Sequence, residues 1–177
     1  MSTRRSATLT DDASELFPVL DAEGRQIGSA PRAVCHADPT LIHPSVHVVV
    51  MTGSGCLWQL RGYGKDSAPG QWDHACSGHV NLGEDPLAAA VRELGEEIGV
   101  IVAPDALVQV ARMLCELGNE TELTTVFRLE HEGPFTFRLP EVAGLTVLPR
   151  GRRPDPLSPS AVLLGARLDA EHPGWDR

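Results

Sequence analysis

Three glutamates stand close together in the middle of the chain, at Glu93, Glu96 and Glu97. On a helix, residues three and four apart lie side by side, so these carboxylates would repel one another by roughly a few tenths of a kcal/mol per pair. Carboxylate oxygens on adjacent turns also form the hard ligand set that Mg²⁺ or Mn²⁺ prefers. Such an ion would convert the repulsion into binding energy. A solvated acidic helix face is the competing interpretation of these three residues alone.

The segment around the glutamates carries the signals of a helix over 84–98. Asp85 is a suitable N-cap, Pro86 suits the first turn, and Gly99 suits a left-handed position at the C-terminus. One narrow apolar stripe runs along the segment, formed by Leu87, Val91, Leu94 and Ile98. At about 100° per residue, the three glutamates are predicted to lie on the helix face away from this stripe.

Residues 78–100 resemble the complete Nudix box. The segment reads Gly78-x5-Glu84-x7-Arg92-Glu93-Leu94-x-Glu96-Glu97-x-Gly99-Val100. Every defined position is filled, and a chance match of this extent is very rare. The resemblance implies an α+β Nudix fold, in which a mixed β-sheet is sandwiched between α-helices and the box is a loop–helix–loop. It also implies Mg²⁺- or Mn²⁺-assisted hydrolysis of a diphosphate that is linked to another moiety.

The resemblance also implies roles for individual residues of the box. Metal ligation is assigned to the backbone carbonyl of Gly78 and to the side chains of Glu93, Glu96 and Glu97. One of these glutamates, with Glu93 and Glu97 as candidates, or a distal one such as Glu122 would be the base that deprotonates the attacking water. Arg92 would pair with the glutamates and hold their rotamers.

A finer resemblance, to isopentenyl-diphosphate isomerases, covers roughly residues 16–130. The metal-site residues of that family are matched by His36, His43, His79, Glu120 and Glu122. In the isomerases the two glutamates are a metal ligand and a proton-transfer residue, and imidazoles suit Mn²⁺ or Zn²⁺ better than Mg²⁺. Arg61 and Lys65 resemble the basic pair before the family's Pro-Gly-x-Trp motif, here 69–72, and would bind the diphosphate of the substrate.

The chain departs from the isomerases at two catalytic positions. Ser77 stands where their catalytic cysteine stands, and Cys76 is one residue early, which in a strand points its side chain to the opposite face. Their late Ser-Pro-Trp is Ser-Pro-Ser at 158–160 here, without the aromatic residue. Because the hydrolase box is intact, we predict a divalent-metal-dependent Nudix hydrolase that acts on a small diphosphate-containing substrate. Two alternatives stay open: a true isopentenyl-diphosphate isomerase and a non-catalytic Nudix-fold nucleotide sensor.

Four further histidines lie outside these motifs: His47, His74, His131 and His172. Lone histidines are usually solvated or satisfied in the core, and we interpret these four in that way. No functional role is assigned to them.

The elements that must position these residues are mainly extended. Strands are predicted over 16–20, 25–28, 46–52, 56–61, 71–78, 106–115, 121–130, 135–139 and 145–148. One helical turn is predicted over 31–36, and a final helix begins at the Ser-Pro pair of 158–159 and ends near residue 170. Many strands, few helices and no regular alternation between them indicate the α+β class.

Composition and charge limit the class of protein. The chain has 177 residues, 42% of them hydrophobic, which is enough for one domain without disulfide support. We predict a disordered tail over 1–14 and a single domain over 15–177. The net charge of −9 disfavours nucleic acid as a partner, and no apolar run is long enough to span a membrane. Four separated cysteines without a CxxC pair predict reduced thiols and a cytoplasmic location, and a homodimer stays open.

Overall fold

The computed structural model describes residues 12–175, which form nine strands, three α-helices and one 3₁₀ turn. The strands are β1 (Leu16–Leu20), β2 (Gln26–Pro31), β3 (Ile42–Thr52), β4 (Gly55–Arg61), β5 (Trp72–His74), β6 (Cys76–His79), β7 (Val108–Glu116), β8 (Thr121–Glu130) and β9 (Val142–Leu148). The helices are α1 (Arg32–Cys35), α2 (Pro86–Ile98) and α3 (Pro159–Glu171), and the 3₁₀ turn is Pro104–Ala106.

The nine strands join in one mixed sheet that is organised around β3. β8 runs parallel to β3, from Ile42 opposite Thr121 to Met51 opposite Glu130. The other edge of β3 pairs with β1, β6 and β4 in turn, β7 extends the sheet beyond β8, and β5 and β9 pair with β4. Strand β3 is buried from its second residue onward, as expected for a central strand that is covered on both faces.

Helices α2 and α3 cover opposite faces of this sheet. Leu94 of α2 belongs to the apolar cluster that holds Val46 and Val48. Leu164 of α3 belongs to the cluster that holds Val49. Successive residues of β3 therefore pack into two separate apolar cores, as the alternation of side chains along a strand requires. A mixed sheet between helices confirms the predicted α+β Nudix architecture.

Helix α2 begins and ends at the predicted signals. Asp85 accepts hydrogen bonds from the backbone N–H groups of Leu87 and Ala88, which have no partner inside the first turn. Gly99, at a φ of 70°, ends the helix in the left-handed conformation that glycine adopts without steric cost. The helix starts at Pro86, two residues after the predicted start, because the preceding residues form a turn.

The prediction that all three glutamates lie away from the core is wrong for Glu97. The Glu96 carboxylate is exposed and that of Glu93 is largely covered, whereas Glu97 is only 7% exposed. The sheet beneath the helix offers two hydrogen-bond donors, because Gln59 Nε2 and the backbone N–H of Ser77 each lie 3.0 Å from Glu97 Oε2. A carboxylate that accepts hydrogen bonds from two donors in this way can be buried.

Other element predictions need correction. Residues 135–139 form no strand, since prolines at 134 and 140 flank the segment and cannot donate to a ladder. Instead, the backbone N–H of Thr136 donates to the carbonyl of Ile98 and secures the end of α2. The predicted strand over 71–78 is divided into β5 and β6, β3 begins four residues early at Ile42, and β7 begins after the 3₁₀ turn.

Only the last part of the predicted tail lies among the described residues. Residues 12–14 form a turn, in which Ser14 Oγ donates to Asp12 Oδ1 at 2.7 Å, and the backbone N–H of Ala33 donates to the carbonyl of Ala13. Residues 1–11 lie outside the described part of the chain. Within 12–175, none of the helices combines the length and the apolar character that crossing a membrane demands.

Candidate active site and metal centre

A cleft of about 900 Å³ opens where β3, β6 and β8 meet α1 and the side of α2. Its wall includes nearly all residues that the motifs predict for the site, namely His36, Arg61, Lys65, Gly78, His79, Arg92, Glu93, Glu96, Glu97, Glu120 and Glu122. His43 is fully buried and stacks against the rings of His36 and His79. The fold therefore brings the residues of both motifs to one cavity.

Arg92 connects the glutamates of the box to the sheet. Its Nη1 donates to Glu93 Oε1 at 2.6 Å and to Glu96 Oε2 at 3.2 Å. Its Nε donates to Glu84 Oε1 at 2.9 Å, and its Nη2 donates to the backbone carbonyl of His79 at 3.0 Å. Hydrogen bonding to Glu84 is the main cause that raises the pKa of Arg92 above its ordinary value. The guanidinium thereby fixes the Glu93 rotamer beside β6.

Glu93 and Glu97 form a largely buried pair of carboxyl groups. Burial is the main cause that raises the pKa of Glu93 to about 8, and repulsion from Glu97 adds to it. Burial also raises the pKa of Glu97, although the backbone N–H of Ser77 and the amide of Gln59 oppose the shift. Two neighbouring carboxyl groups that resist ionisation are ready ligands for a divalent cation.

Five side chains converge on one point at the other end of the cleft, and we name them the histidine cluster: His36, His43, His79, Glu120 and Glu122. His36 Nε2 lies 3.2 Å from His79 Nε2 and 3.3 Å from Glu120 Oε2. Glu122 Oε1 lies 3.5 Å from His79 Nε2 and 3.9 Å from His43 Nε2. The parallel register of β3 and β8 sets His43 directly opposite Glu122, so the sheet itself assembles part of this cluster.

Burial keeps the imidazoles of the histidine cluster uncharged. It is the main cause that lowers the pKa of His36 to about 3 and the pKa of His79 to about 4, and it also lowers the pKa of His43. Burial opposes ionisation of Glu122, but hydrogen bonding with His79 is the main cause that outweighs it and lowers its pKa. Burial, with repulsion from Glu122, raises the pKa of Glu120 to about 7.

The histidine cluster fits a divalent metal ion. Octahedral ligands about 2.1 Å from a metal lie about 3.0 Å apart at adjacent corners, slightly closer than the atoms of this cluster. His43 Nε2 and Glu120 Oε2 are buried, lie 3.8 Å apart, and have no hydrogen-bond partner among the described residues. Buried polar atoms in native proteins normally have a partner, so this pair points to an ion between them. Three imidazole nitrogens favour Mn²⁺ or Zn²⁺ in that position.

Three further residues support the histidine cluster, and the motifs do not predict them. Phe17 stacks on His79, with 4.4 Å between the ring centroids. Arg32 Nη1 lies 3.2 Å from His79 Nδ1, and Arg32 Nη2 donates to Asp66. Asp66 Oδ2 in turn lies 3.7 Å from His36 Nδ1. Arg32, which lies just inside the predicted turn 31–36, is the one sequence signal that could indicate these contacts to the histidine cluster.

Arg61 and Lys65 line the cleft and bind other protein groups. Arg61 Nε donates to the carbonyl of Ser67 at 3.1 Å. Lys65 Nζ donates to Glu141 Oε2 at 2.6 Å. A phosphate of the substrate would therefore share or replace these partners.

Cys76 and Ser77 occupy opposite faces of β6. Cys76 is fully buried in the apolar cluster under α2, and burial raises the pKa of its thiol well above the usual range. Ser77 lines the cleft. The cleft wall formed by the described residues therefore presents a hydroxyl, and no thiol, at the position of the isomerase cysteine.

Known proteins are similar to this chain in sequence and in fold. The chain is 36% identical over 151 residues to "Nudix hydrolase 3" of Arabidopsis thaliana, covering 77% of this chain and 19% of that protein. It is 38% identical over 100 residues to an isopentenyl-diphosphate Delta-isomerase of Streptomyces avermitilis, covering 56% of this chain and 50% of the isomerase. The chain thus spans about a fifth and about half of the lengths of these two relatives.

The crystal structure of DR0079 from Deinococcus radiodurans has the same fold, with a TM-score of 0.63 over 89% of this chain and 90% of that one at 19% identity. The NUDIX domain family model matches residues 41–153, a span that contains the complete box. Because this match covers well over half of the chain, the protein belongs to the Nudix family.

Proposed function

We propose that the protein is a divalent-metal-dependent hydrolase that cleaves the phosphoanhydride bond of a small diphosphate-containing metabolite, nucleotide-like or prenyl-diphosphate-like. The observation that carries this proposal is the meeting of two metal-ligand sets, the box glutamates and the histidine cluster, in one cleft with Arg61 and Lys65. Divalent ions would offset the carboxylate charge of the cleft, so that an anionic substrate could bind there.

The box end of the cleft would hold Mg²⁺ or Mn²⁺ through its carboxylates and one backbone carbonyl. The ligands are Gly78, Glu93, Glu96 and Glu97. Such an ion supplies charge neutralisation at the non-bridging phosphate oxygens and lowers the pKa of water. Glu93 and Glu97 are the box candidates for the base that accepts a proton from the attacking water. Arg92 holds Glu93 in place, and Gln59 holds Glu97.

The histidine cluster would hold a second ion, Mn²⁺ or Zn²⁺, and orient the diphosphate. Glu122, which lines the cleft, would be a ligand of this ion or the distal base. Arg61 and Lys65 would contact the phosphate oxygens that face the loop over 62–71.

Allylic isomerisation of a prenyl diphosphate is the second candidate, favoured by the histidine cluster. Cys76 counts against it, because its thiol lies under α2 with a raised pKa and faces away from the cleft. Ser77, which does line the cleft, carries a hydroxyl that is a far weaker acid than a thiol. A nucleotide-binding sensor without turnover is the remaining alternative.

A substrate panel with Mg²⁺ or Mn²⁺ tests the proposal. The panel contains nucleoside triphosphates, nucleoside diphosphate sugars, dinucleotides and prenyl diphosphates, scored for release of phosphate or pyrophosphate and for allylic isomerisation by NMR. We expect release that Glu97→Gln lowers by roughly 100-fold or more. The matched variant Glu116→Gln, on the exposed side of β7, should keep it. Isomerisation without release would favour the second candidate, and tight binding without either reaction would favour the sensor.

The same proposal places the protein in the cytoplasm. All four cysteines are buried and none forms a disulfide, as suits a reducing compartment. With a net charge of −9, the partner we assign is the small substrate and not nucleic acid.

A further inference from the structure

We propose that His47, Asp73 and His74 form a transition-metal site of their own, of the kind that binds Zn²⁺, in the floor of the cleft. We name these three residues the inner cluster. It shares no residue with the Nudix box or with the histidine cluster. The proposal concerns metal binding alone and does not depend on which reaction the protein catalyses.

The ligand atoms of the inner cluster form a triangle of the size that a tetrahedral zinc ion requires. His47 Nδ1 lies 3.2 Å from His74 Nδ1 and 3.5 Å from Asp73 Oδ1. The third side, from His74 Nδ1 to Asp73 Oδ1, measures 3.8 Å. Tetrahedral ligands at about 2.0–2.2 Å from zinc lie about 3.3–3.6 Å apart, so an ion at the centre needs only small side-chain shifts.

At most one ring hydrogen fits between the two Nδ1 atoms, although Asp73 Oδ1 also accepts the backbone N–H of His74 at 2.8 Å. A neutral imidazole carries one N–H, and its other ring nitrogen is an acceptor. If His74 Nδ1 donates to His47 Nδ1, the lone pair of His47 is used, and the carboxylate of Asp73 then faces a His47 nitrogen that carries no hydrogen. If His47 Nδ1 donates, a single hydrogen must serve both other atoms. A cation shared by all three removes this conflict.

The surroundings of His74 fix its ring with Nδ1 toward the other two ligands. The ring stacks on Trp58 at a centroid distance of 5.5 Å and meets Trp175 in a T-shaped contact at 5.9 Å. His74 is 1% exposed, and its Nε2 has no hydrogen-bond partner among the described residues. Nδ1 is therefore the ring nitrogen that meets polar groups, and those groups are His47 and Asp73.

Asp73 is oriented through the oxygen that does not face the imidazoles. Ser158 Oγ donates to Asp73 Oδ2 at 2.8 Å, and Arg61 Nη1 lies 3.5 Å from the same oxygen. Oδ1 accepts the backbone N–H of His74 and faces the two rings. Hydrogen bonds of this kind, outside the ligand atoms themselves, are the usual support of a metal site.

The inner cluster and the histidine cluster lie at different positions along strand β3. His43 and His47 lie on the same face of the strand, and four residues of a strand span about 13 Å. His47 belongs to the cleft wall, together with Arg61 and Ser160. His47 is therefore the member of the inner cluster that borders the cleft, and Asp73 and His74 lie buried behind it.

The donor set indicates the class of metal. Two imidazole nitrogens and one carboxylate, with one position left open, are the ligands of catalytic zinc sites. Mg²⁺ prefers oxygen ligands in octahedral geometry and keeps several of its waters, so it suits this triangle poorly. Zn²⁺ is therefore the probe of choice, with Co²⁺ as its spectroscopic substitute.

Anomalous diffraction tests the proposal directly on the full chain. Crystals stripped of metal and soaked in ZnCl₂ should show a peak at the zinc edge about 2.0–2.2 Å from His47 Nδ1, His74 Nδ1 and Asp73 Oδ1. Zinc peaks at the histidine cluster or at the box, with none between these three atoms, would overturn it.

Zinc stoichiometry in solution gives a second measurement. His74→Gln should bind about one Zn²⁺ per chain fewer than the unaltered protein. His36→Gln should lose a different ion, so that the double variant loses about two. In Co²⁺-loaded protein, the intense visible absorption of a tetrahedral site should disappear with His74→Gln and persist with His36→Gln. Equal zinc counts in a folded His74→Gln variant would refute the site, and if that variant does not fold, the crystal soak decides.

Discussion

The carboxyl group of Glu93 lies against the Cα of Gly78, in the space that a β-carbon at residue 78 would occupy. Arg92 holds Glu93 in this place through a 2.6 Å hydrogen bond. Gly78, the first residue of the box, therefore has no side chain for a steric reason: a β-carbon there would displace the carboxylate of Glu93. Its backbone carbonyl and the Glu93 side chain can then serve one ion from neighbouring positions.

Replacing Gly78 with alanine should displace Glu93 and lower kcat by about 100-fold, since a misplacement of about 1 Å near the chemistry has an effect of that size. Steady-state kinetics on the substrate found in the panel would measure it. Gly28→Ala is the matched control, because no heavy atom lies within 4 Å of a β-carbon at that position. Equal activity of the two variants would disprove the steric role.

Glu97→Gln should have opposite effects on activity and on the stability of the metal-free protein. Because burial raises the pKa of Glu97, its ionised form costs stability above the ordinary pKa of 4.5, and the neutral amide removes that cost. We expect the free energy of unfolding in urea with EDTA at about pH 8 to rise by roughly 1 kcal/mol. Turnover should fall by roughly 100-fold or more.

The control for this pair of effects is Glu96→Gln, whose carboxylate is 62% exposed. It should change the free energy of unfolding by less than about 0.5 kcal/mol. If Glu97→Gln were instead less stable than the unaltered protein in EDTA, the buried carboxylate would be a stabilising group and our account of it would fail.

In the metal-free protein, Glu93 should contribute a loss of stability as the pH rises from about 4.5 to about 8, measured as the difference in free energy of unfolding between the unaltered protein and Glu93→Gln. Glu93 has an ordinary pKa of 4.5 and a pKa of about 8 in the fold, so at this group the folded state binds more protons in this window and its contribution to stability falls with pH. Mg²⁺ must displace that proton, so its affinity should rise by up to about tenfold per pH unit and level off above about pH 8. Calorimetric titrations across this window would measure it, and a pH-independent affinity would contradict it.

Arg92→Lys should weaken Mg²⁺ binding by roughly 10- to 100-fold although the charge is kept. A lysine has one nitrogen in place of the three that Arg92 uses, so it cannot reproduce the bonds to Glu84, Glu93 and the carbonyl of His79 in the same geometry. Arg25→Lys is the control, because Arg25 pairs with acidic residues of an exposed hairpin. Unchanged Mg²⁺ affinity in Arg92→Lys would show that charge alone suffices.

The box helix is predictable from the sequence because its determinants are local. Asp85 caps the helix two residues from the groups it serves, and Gly99 ends it. The burial of Glu97 is not local, because it depends on Gln59, which β4 supplies from 38 residues away. The hydrophobic periodicity of a helix cannot reveal a hydrogen-bond donor that a strand elsewhere in the sequence provides.

The histidines show the same limit. The spacing of His36, His43 and His79 points to a shared site, and the structure brings them together. His47 and His74 are buried, as the interpretation of lone histidines allows, but their convergence on Asp73 depends on how β3 and β5 are placed in the sheet. Only the sheet topology makes these side chains neighbours.

The stacking of Phe17 on His79 makes the N-terminal hairpin part of the support of the histidine cluster. The segment that matches the family starts at residue 41, after Phe17 and His36, and ends at residue 153, before Ser158. A protein trimmed to that segment would keep every box glutamate but would lose the imidazole of His36, the Phe17 ring that stacks on His79, and the Ser158 hydroxyl that donates to Asp73. The box alone therefore does not define the complete cleft of this protein, because residues on both sides of the family segment contribute to it.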